Sequence, residues 1–209
     1  MIRILLVDDH PVVRHGIRQI LVDRLRNVTV GEAGDARGAR ASMRGNGWDV
    51  VVLDVTLPGE SGLDLLKDIR KDHPSLPVLV LSMHPAAQFA RRAIAAGAMG
   101  YLTKESAPTE LVHAVEQIRR GRTYVGSRTH EREGRAGRAD RPPHEALSDR
   151  EYQVLRMLGS GRTVSEIAAS LGLSVKTVST YRARLLLKLQ MRSNAELMRY
   201  AIENGLVDS

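Results

Sequence analysis

The sequence predicts an α/β domain built on a five-stranded, doubly wound parallel sheet, followed by a smaller all-α domain. In the first 123 residues, short apolar runs alternate five times with segments of helical periodicity. Such alternation is typical of a parallel sheet joined by right-handed crossovers and covered by helices. From Leu147 onward, apolar residues recur only at helical spacing, which predicts a second domain with helices alone.

The strands of the first domain are rich in apolar residues, and in the first and third strands these residues fall on both faces, which indicates burial on both faces of the sheet. They are predicted over residues 2–7, 28–33, 50–53, 78–82 and 99–102. Between and after them, apolar residues follow the spacing of helices with one buried face. These helices are predicted over residues 12–25, 36–43, 62–71, 88–96 and 108–120.

Four helices are predicted in the second domain from their capping residues. The predicted N-caps are Ser148, Thr163, Ser174 and Asn194. Glu151 stands three residues after Ser148, which is the spacing of a capping box. Gly159 and Gly172 mark the ends of the first two helices.

The two domains are separated by a Gly-rich, charged stretch that has almost no apolar residue. Such a segment cannot bury a core, so we interpret it as a flexible basic linker. The predicted boundaries are 1–123 for the first domain, 124–146 for the linker and 147–209 for the second domain. The arginines of the linker offer contacts to nucleic acid, although charged runs of this kind are more often simply solvated.

Composition narrows the classes of function. The chain has no cysteine, which excludes disulfides, thiolate zinc sites and cysteine nucleophiles. Its net charge of +7 admits an anionic partner such as nucleic acid. No apolar run approaches the roughly 20 residues that a membrane span requires. The start of the chain enters a strand directly rather than a signal peptide, so we expect a cytoplasmic protein without a membrane partner.

Three carboxylates stand at the ends of two predicted strands. Asp8 and Asp9 follow the first strand and Asp54 ends the third. Ligands of doubly wound sheets collect outside the carboxyl ends of the strands, so we expect the three acids to meet in one cleft. Their mutual repulsion predicts a hard divalent cation such as Mg²⁺, which binds one or two carboxylates and leaves a third free. Asp54, at the end of the third strand, is the candidate nucleophile toward a phosphoryl group.

Two further polar residues follow other strand ends. Ser82 closes the fourth strand and Lys104 comes after the fifth. A hydroxyl can donate to a phosphoryl oxygen and an ammonium can pair with one. Alone, serine is most often a turn residue and lysine a surface residue. Together with the acids, they indicate a site for phosphoryl chemistry.

The acidic residues admit three alternative interpretations. A flavin or nucleotide site would need a neutral or basic loop after the first strand, and the acids there would repel its phosphate. An aspartate-nucleophile phosphatase would place its nucleophile on the first strand and an acid where Thr56 stands. Asp8 and Asp9 could instead cap the helix that begins near Pro11, but this would not explain Asp54.

These residues resemble the receiver domain of two-component response regulators over about residues 1–123. The resemblance is carried by Asp8, Asp9, residues 53–62, Ser82 and residues 100–104. It implies a flavodoxin-like fold, with Asp54 as the phosphoacceptor for a sensor histidine kinase. It further implies Mg²⁺ bound by Asp8, Asp9, Asp54 and the main chain of Thr56. Lys104 would contact the phosphate, and Ser82 and Tyr101 would form the switch pair. Glu105 departs from the family, in which proline commonly follows the lysine.

The second and third helices of the C-terminal domain form a predicted helix-turn-helix, with recognition helix 174–189. Small and hydrogen-bonding residues on its outer face suit base edges, and basic or hydroxyl residues suit phosphates. The predicted DNA contacts are Lys176, Thr177, Ser179, Thr180, Tyr181, Ala183, Arg184 and Lys188. A protein-docking helical bundle is the alternative from these residues alone.

Residues 147–207 resemble the LuxR-type DNA-binding domain. The resemblance is carried by residues 147–151, 167–168 and 173–181. Both halves together resemble response regulators of the NarL/FixJ class. This implies a phosphorylation-regulated transcription factor that binds double-stranded promoter DNA and forms a homodimer at least when phosphorylated. It would be no enzyme beyond self-catalysed phosphoryl transfer. The competing hypothesis is an unregulated DNA-binding protein with a vestigial cleft.

Leu187 is unusual as an outward-facing apolar residue of the predicted recognition helix.

Overall fold

The computed structural model describes residues 1–45, 47–83, 86–126 and 142–207. The chain divides into two compact units, Met1–Glu133 and Gly134–Ser209. Most of the predicted linker, residues 127–141, lies outside the described residues.

The first unit is a parallel sheet with the strand order β2-β1-β3-β4-β5-β6. Its strands are β1 Ile2–Val7, β2 Val28–Ala33, β3 Val50–Asp54, β4 Val78–Ser82, β5 Gly100–Thr103 and β6 Tyr124–Val125. The order reverses between β1 and β3, so the crevice at their carboxyl ends is the expected ligand position of a doubly wound sheet. The predicted doubly wound α/β fold is confirmed.

The helices of this unit follow the strands in alternation. They are α1 Pro11–Arg24, α2 Ala36–Met43, α3 Gly62–Asp72, α4 Ala86–Ala95 and α5 Ala107–Arg119. All residues of β3 and β4 are buried, as expected for central strands covered on both faces. The core on the side of α1 and α5 is almost wholly aliphatic, as the low aromatic content requires.

The sheet has one strand more than the five that the sequence predicts. Tyr124 and Val125, which the sequence assigns to the linker, form β6 beside Gly100 and Tyr101 of β5. The amide of Gly126 also donates to the main-chain oxygen of Tyr101 at 3.1 Å. Two apolar residues are too short a run to show a strand period, so their pairing is decided by the edge of β5. The first domain therefore extends past residue 123.

Gly62, at the start of α3, lies directly against the end of β3. Its amide donates to the main-chain oxygen of Val55 at 2.8 Å. A Cβ atom at this position would lie 2.0 Å from the main-chain oxygen of Asp54. Only glycine therefore allows α3 to begin this close to the acidic residue at the end of β3.

We predict that Gly62→Ala destabilises the first unit by about 1–3 kcal/mol, because the clash is with backbone atoms that cannot rotate away. Urea unfolding followed through the Trp48 fluorescence measures this. Gly16→Ala is the matched control, since a Cβ at Gly16 in α1 meets nothing within 4 Å. That control should be neutral or stabilising, as alanine is in helices. Equal unfolding midpoints for the two variants would contradict the prediction.

The second unit contains a short 3₁₀ helix, Pro143–Ala146, and then α6 Asp149–Gly159, α7 Val164–Leu171, α8 Val175–Lys188 and α9 Asn194–Glu203. Capping boxes are present at Ser148 and Thr163. Gly172 ends α7 with a φ of 62°, the left-handed conformation that glycine adopts readily. The predicted ends of α6 at Gly159 and of α7 at Gly172 are confirmed.

The predicted cap of the last helix is wrong by one residue. Ser193 is the N-cap of α9, and its hydroxyl accepts from the amide of Glu196 at 3.3 Å. Asn194 is the first helical residue, and its side-chain oxygen accepts from Arg182 of α8. Both residue types are good caps, so only this tertiary contact distinguishes them.

Within the described part of the chain, every helix is too short or too polar to cross a bilayer.

Candidate functional site

The three acids meet at the carboxyl edge of the sheet, as predicted. Asp8 and Asp9 follow β1, and Asp54 ends the neighbouring strand β3. One ligand atom from each of Asp8, Asp9, His10 and Asp54 lies within 4.8 Å of the others. Asp8 and Asp54 are almost fully buried, whereas Asp9 retains access to solvent. The acids therefore form a cleft that is open on the side of Asp9.

Lys104 joins two of these carboxylates. Its Nζ atom lies 2.7 Å from Asp8 Oδ2 and 2.7 Å from Asp54 Oδ2, and its side chain is only 7% exposed. Burial acts to lower the pKa of Lys104, but the carboxylates of Asp54 and Asp8 outweigh burial, and the pKa is raised. The lysine is therefore a buried cation. Although Glu105 stands where the resemblance leads us to expect proline, Lys104 reaches both acids.

Asp54 is a buried carboxylate with two hydrogen-bond donors. Oδ1 accepts from the amide of Thr56 at 3.0 Å, and Oδ2 accepts from Lys104. Burial raises the pKa of Asp54 to about 6, and repulsion from Asp8 contributes, while Lys104 and the Thr56 amide oppose the rise. Asp54 is thus mostly ionised at pH 7, although its environment penalises the charge.

The donor set fits a hard divalent cation. Three carboxylates face one ammonium, so negative charge is in excess in the cleft. Carboxylate oxygen is the ligand type that Mg²⁺ prefers. His10 Nδ1 lies 2.7 Å from Asp9 Oδ1, which compensates Asp9 only when the imidazole is protonated. The main chain of Thr56 contacts Asp54 through its amide, and a metal bond from its carbonyl stays a prediction.

The capping explanation for the acidic pair fails in the structure. His10 is the N-cap of α1, and no side chain makes a capping bond there. Asp8 Oδ1 instead accepts from the amide of His10 at 2.8 Å, within the loop. Asp8 therefore shapes the loop between β1 and α1 rather than the helix end.

Ser82 and Tyr101 occupy neighbouring strands next to the cleft. Ser82 is the last residue of β4 and is buried, and its main-chain oxygen accepts from the amide of Lys104 at 2.8 Å. Tyr101 in β5 is fully buried, beside Val80 of β4 and Val125 of β6. Their switch role stays a prediction.

An arginine that the sequence does not single out holds the loop after β3. Arg40 of α2 donates from both terminal nitrogens to the carboxylate of Glu60 in this loop, and also binds Asp68 of α3. The hydrogen bonds that Arg40 donates to Glu60 and then to Asp68 raise the pKa of Arg40 above its ordinary value. The loop that carries Thr56 is therefore fastened to two helices. No local pattern could show this, because the partners are far apart in sequence.

The predicted recognition helix is α8, the second helix of the helix-turn-helix. Val178 and Leu185 are its buried residues, and they define the face of α8 that packs against the rest of the second unit. Most of the predicted DNA contacts are exposed on the remaining surface: Lys176, Ser179, Thr180, Ala183 and Arg184. Thr177 and Tyr181 are half-buried, and Leu187 is 79% exposed.

Lys188, whose predicted contact with DNA stays a prediction, forms an ion pair with Glu151 within the second unit. Its Nζ donates to Glu151 Oε2 at 2.7 Å, and the Glu151 side chain is only 3% exposed. Glu151 Oε2 also accepts from the amide of Ser148 at 2.8 Å. Burial acts to raise the pKa of Glu151, but the bonds from Lys188 and Ser148 outweigh burial, and the pKa is lowered. Lys188 therefore ties the C-terminal end of α8 to the start of α6.

We predict that Lys188→Met destabilises the second unit by about 1–3 kcal/mol, because Glu151 loses a charged partner at a buried position. Calorimetric unfolding of the full chain measures the transition of that unit. Lys176→Met on the exposed face is the control and should leave the transition within about 0.5 kcal/mol. If both variants unfold at the same temperature, Lys188 has no structural role.

Family models match both units of the chain. Residues 4–116 match the response regulator receiver domain, and residues 145–201 match the bacterial regulatory proteins of the luxR family. The matches cover the acidic cleft and the helix-turn-helix.

Relatives of similar length match along the chain. Response regulator UvrY of Escherichia coli K12 is 36% identical over 212 residues, covering 100% of this chain and 97% of the relative. Response regulator GacA of Pseudomonas aeruginosa PAO1 is 35% identical over 214 residues, covering 100% and 99%.

A solved structure that matches along nearly the whole chain is RcsB of Salmonella enterica serovar Typhimurium, bound to the promoter rprA in the presence of phosphomimetic BeF3⁻. It is 29% identical with a TM-score of 0.65, and covers 96% of this chain and 98% of that chain. Both family models and the full-length relatives lead to one conclusion. The chain belongs to the response regulators, as a receiver domain followed by a LuxR-family helix-turn-helix domain.

Proposed function

We propose that this protein is a transcription factor switched by phosphorylation of Asp54, in the cytoplasm, where its promoter DNA lies. The phosphoryl donor is a sensor histidine kinase, and the reader of DNA is α8. The observation that carries the proposal is the buried Asp54 carboxylate, held beside Asp8 by the ammonium of Lys104. Among the residues that the structure describes, Asp54 alone both ends a central strand and contacts the buried ammonium of Lys104.

In the proposed transfer, a carboxylate oxygen of Asp54 attacks the phosphorus, and the bond from phosphorus to the kinase's histidine nitrogen breaks. The product is an acyl phosphate, and the histidine nitrogen recovers its electron pair. Lys104 is placed to exchange its bond with Asp54 for one with a phosphoryl oxygen. This is a single transfer to the protein itself, and hydrolysis of the acyl phosphate resets it.

The transfer is proposed to need Mg²⁺, held by Asp8, Asp9, Asp54 and the main-chain carbonyl of Thr56. When bound, Mg²⁺ supplies neutralisation of the charge on the phosphoryl oxygens. The residues of the chain would then orient the phosphoryl group through Lys104 and the Ser82 hydroxyl. Phosphorylation adds about −1.5 to −2 charges at the end of β3. This charge would draw the Ser82 hydroxyl inward, with the Tyr101 ring following, and bias an existing equilibrium toward dimers.

On the DNA side, α8 offers small side chains beside basic ones. Ser179, Thr180 and Ala183 are exposed and short enough for close approach to base edges. Lys176 and Arg184 are exposed cations at either side of them, suited to phosphates. In a homodimer, two such helices would read half-sites about one duplex turn apart. That the related RcsB is solved bound to the promoter rprA supports a role in binding promoter DNA.

We predict that Asp54→Asn abolishes Mg²⁺-dependent labelling by acetyl phosphate, because an amide cannot attack phosphorus to give an acyl phosphate. Mass spectrometry of the intact chain measures the added phosphoryl group. Asp64→Asn is the control, since Asp64 is an exposed acid that pairs with Lys67 on α3. Full labelling of Asp54→Asn would refute the assignment. DNA affinity that ignores the phosphodonor in the wild type would favour an unregulated DNA-binding protein.

We predict that Lys176→Ala and Arg184→Ala each weaken binding to duplexes that the wild type selects from a random pool. Each should also reduce the salt dependence of the affinity by about one counterion, because a phosphate contact is lost. Arg199→Ala on α9 is the control, as it removes an exposed cation that pairs with Glu203. If affinity and salt slope match the wild type in both α8 variants, the recognition surface lies elsewhere.

A further inference from the structure

Arg14 makes two contacts around the acidic loop that the proposed chemistry does not use. It lies on α1, and one terminal nitrogen (Nη1) donates to the main-chain oxygen of Asp8 at 2.6 Å. Its Nε donates to Glu32 Oε2 of β2 at 2.9 Å. The guanidinium is thus held between β2 and the residue that begins the acidic pair, and its side chain is 20% exposed.

These contacts complete the fastening of the Asp8 backbone. The amide of Asp8 donates to the main-chain oxygen of Ala33 at 3.1 Å, so both polar main-chain groups of Asp8 are bonded. The Asp8 carboxylate is in turn bonded to the His10 amide and to Lys104. A planar guanidinium has its donors in a rigid fork, so it fixes the distance between its two acceptors.

We propose that Arg14 is a positioning residue that holds the acidic pair in the geometry that binds the divalent cation. The inference rests on the proposed function, because it concerns the metal used in phosphorylation. Residues that orient metal ligands commonly contribute about 10- to 100-fold to metal affinity. Arg14 acts through the main chain of Asp8 and through Glu32.

A purely electrostatic role for Arg14 predicts the opposite change in metal affinity. Arg14 is a cation near the cleft, so its removal should strengthen the binding of a divalent cation if only charge matters. If Arg14 positions the acidic loop, its removal should weaken binding. The sign of the change in metal affinity therefore separates the two roles.

The neighbouring turn of α1 provides a matched control. Arg18 also pairs with Glu32, with its Nε 3.3 Å from Oε1. It carries the same charge on the same helix and contacts the same acid, and its side chain is 42% exposed. Substitution of Arg18 removes the charge and the Glu32 contact and leaves the bond from Arg14 to Asp8.

The experiment is a titration of the full-length protein with Mn²⁺, observed by electron paramagnetic resonance and competed with Mg²⁺. We compare wild type, Arg14→Met, Arg18→Met and Asp54→Asn. Arg14→Met should weaken Mn²⁺ and Mg²⁺ binding about tenfold, whereas Arg18→Met should bind as tightly as the wild type or more tightly. In labelling by acetyl phosphate, Arg14→Met should raise the half-saturating Mg²⁺ concentration about tenfold, with the saturated rate unchanged.

Arg14→Met binding Mn²⁺ as tightly as the wild type overturns the inference and leaves the proposed function standing. Equal weakening in Arg14→Met and Arg18→Met overturns it as well, since the Asp8 contact would then add nothing. A wild type that binds neither ion overturns the proposed function itself. If Arg14→Met fails to fold, Arg14→Lys replaces it, because lysine keeps the charge without the planar fork of donors, and unchanged metal affinity in that variant overturns the inference.

Discussion

The buried ammonium of Lys104 is the contact on which the rest of the first unit depends. It joins a residue after β5 to the ends of β1 and β3, and its two ion pairs of 2.7 Å compensate buried carboxylates whose other oxygens accept from the main-chain amides of His10 and Thr56. Removing charge from water is costly, and only close pairing offsets that cost. The loops at this edge of the sheet are therefore constrained by electrostatics as well as by the apolar core beneath them.

Lys104 offsets only part of the negative charge of the acidic cleft, and the uncompensated charge indicates the chemistry of the site. One ammonium cannot neutralise three carboxylates, so burial and repulsion raise the pKa of Asp54 to about 6. An aspartate in the unfolded chain has a pKa near 3.9, so ionisation of Asp54 at neutral pH opposes folding. A divalent cation in the cleft would relieve this cost. A phosphoryl group on Asp54 would instead compete with the carboxylates for Lys104. β5, the strand that precedes Lys104, carries Tyr101, whose main chain pairs with β6. β6 is the last described element before residues 127–141.

The sequence predicts the features that have a local period or a local cap. The first, third and fourth strands are mostly apolar runs, and Ser148 with Glu151 has the spacing of a capping box, so both follow from short-range rules. The features it misses are decided by distant partners. Tyr124 and Val125 become a strand only because β5 offers an edge, and Ser193 replaces Asn194 as a cap because Asn194 binds Arg182. The three carboxylates are predictable because doubly wound topology brings strand ends together. Arg14 and Arg40 are not, because nothing near them in sequence marks their acceptors.

Lys188 and Lys104 each pair with a buried carboxylate, yet the pKa of the acid shifts in opposite directions in the two units. Glu151 and Asp54 are both buried carboxylates bonded to a lysine at 2.7 Å. The pKa of Glu151 is lowered because Lys188 and Ser148 satisfy its charge without a competing acid nearby. Its ionised form therefore stabilises the fold above the pKa of the unfolded chain, and that contribution is lost as pH falls. Burial raises the pKa of Asp54, and repulsion from Asp8, which shares the same lysine, contributes. A lysine alone does not distinguish the two pairs. What distinguishes them is that Asp54 has a second carboxylate beside it, whereas the bonds from Lys188 and Ser148 outweigh the burial of Glu151.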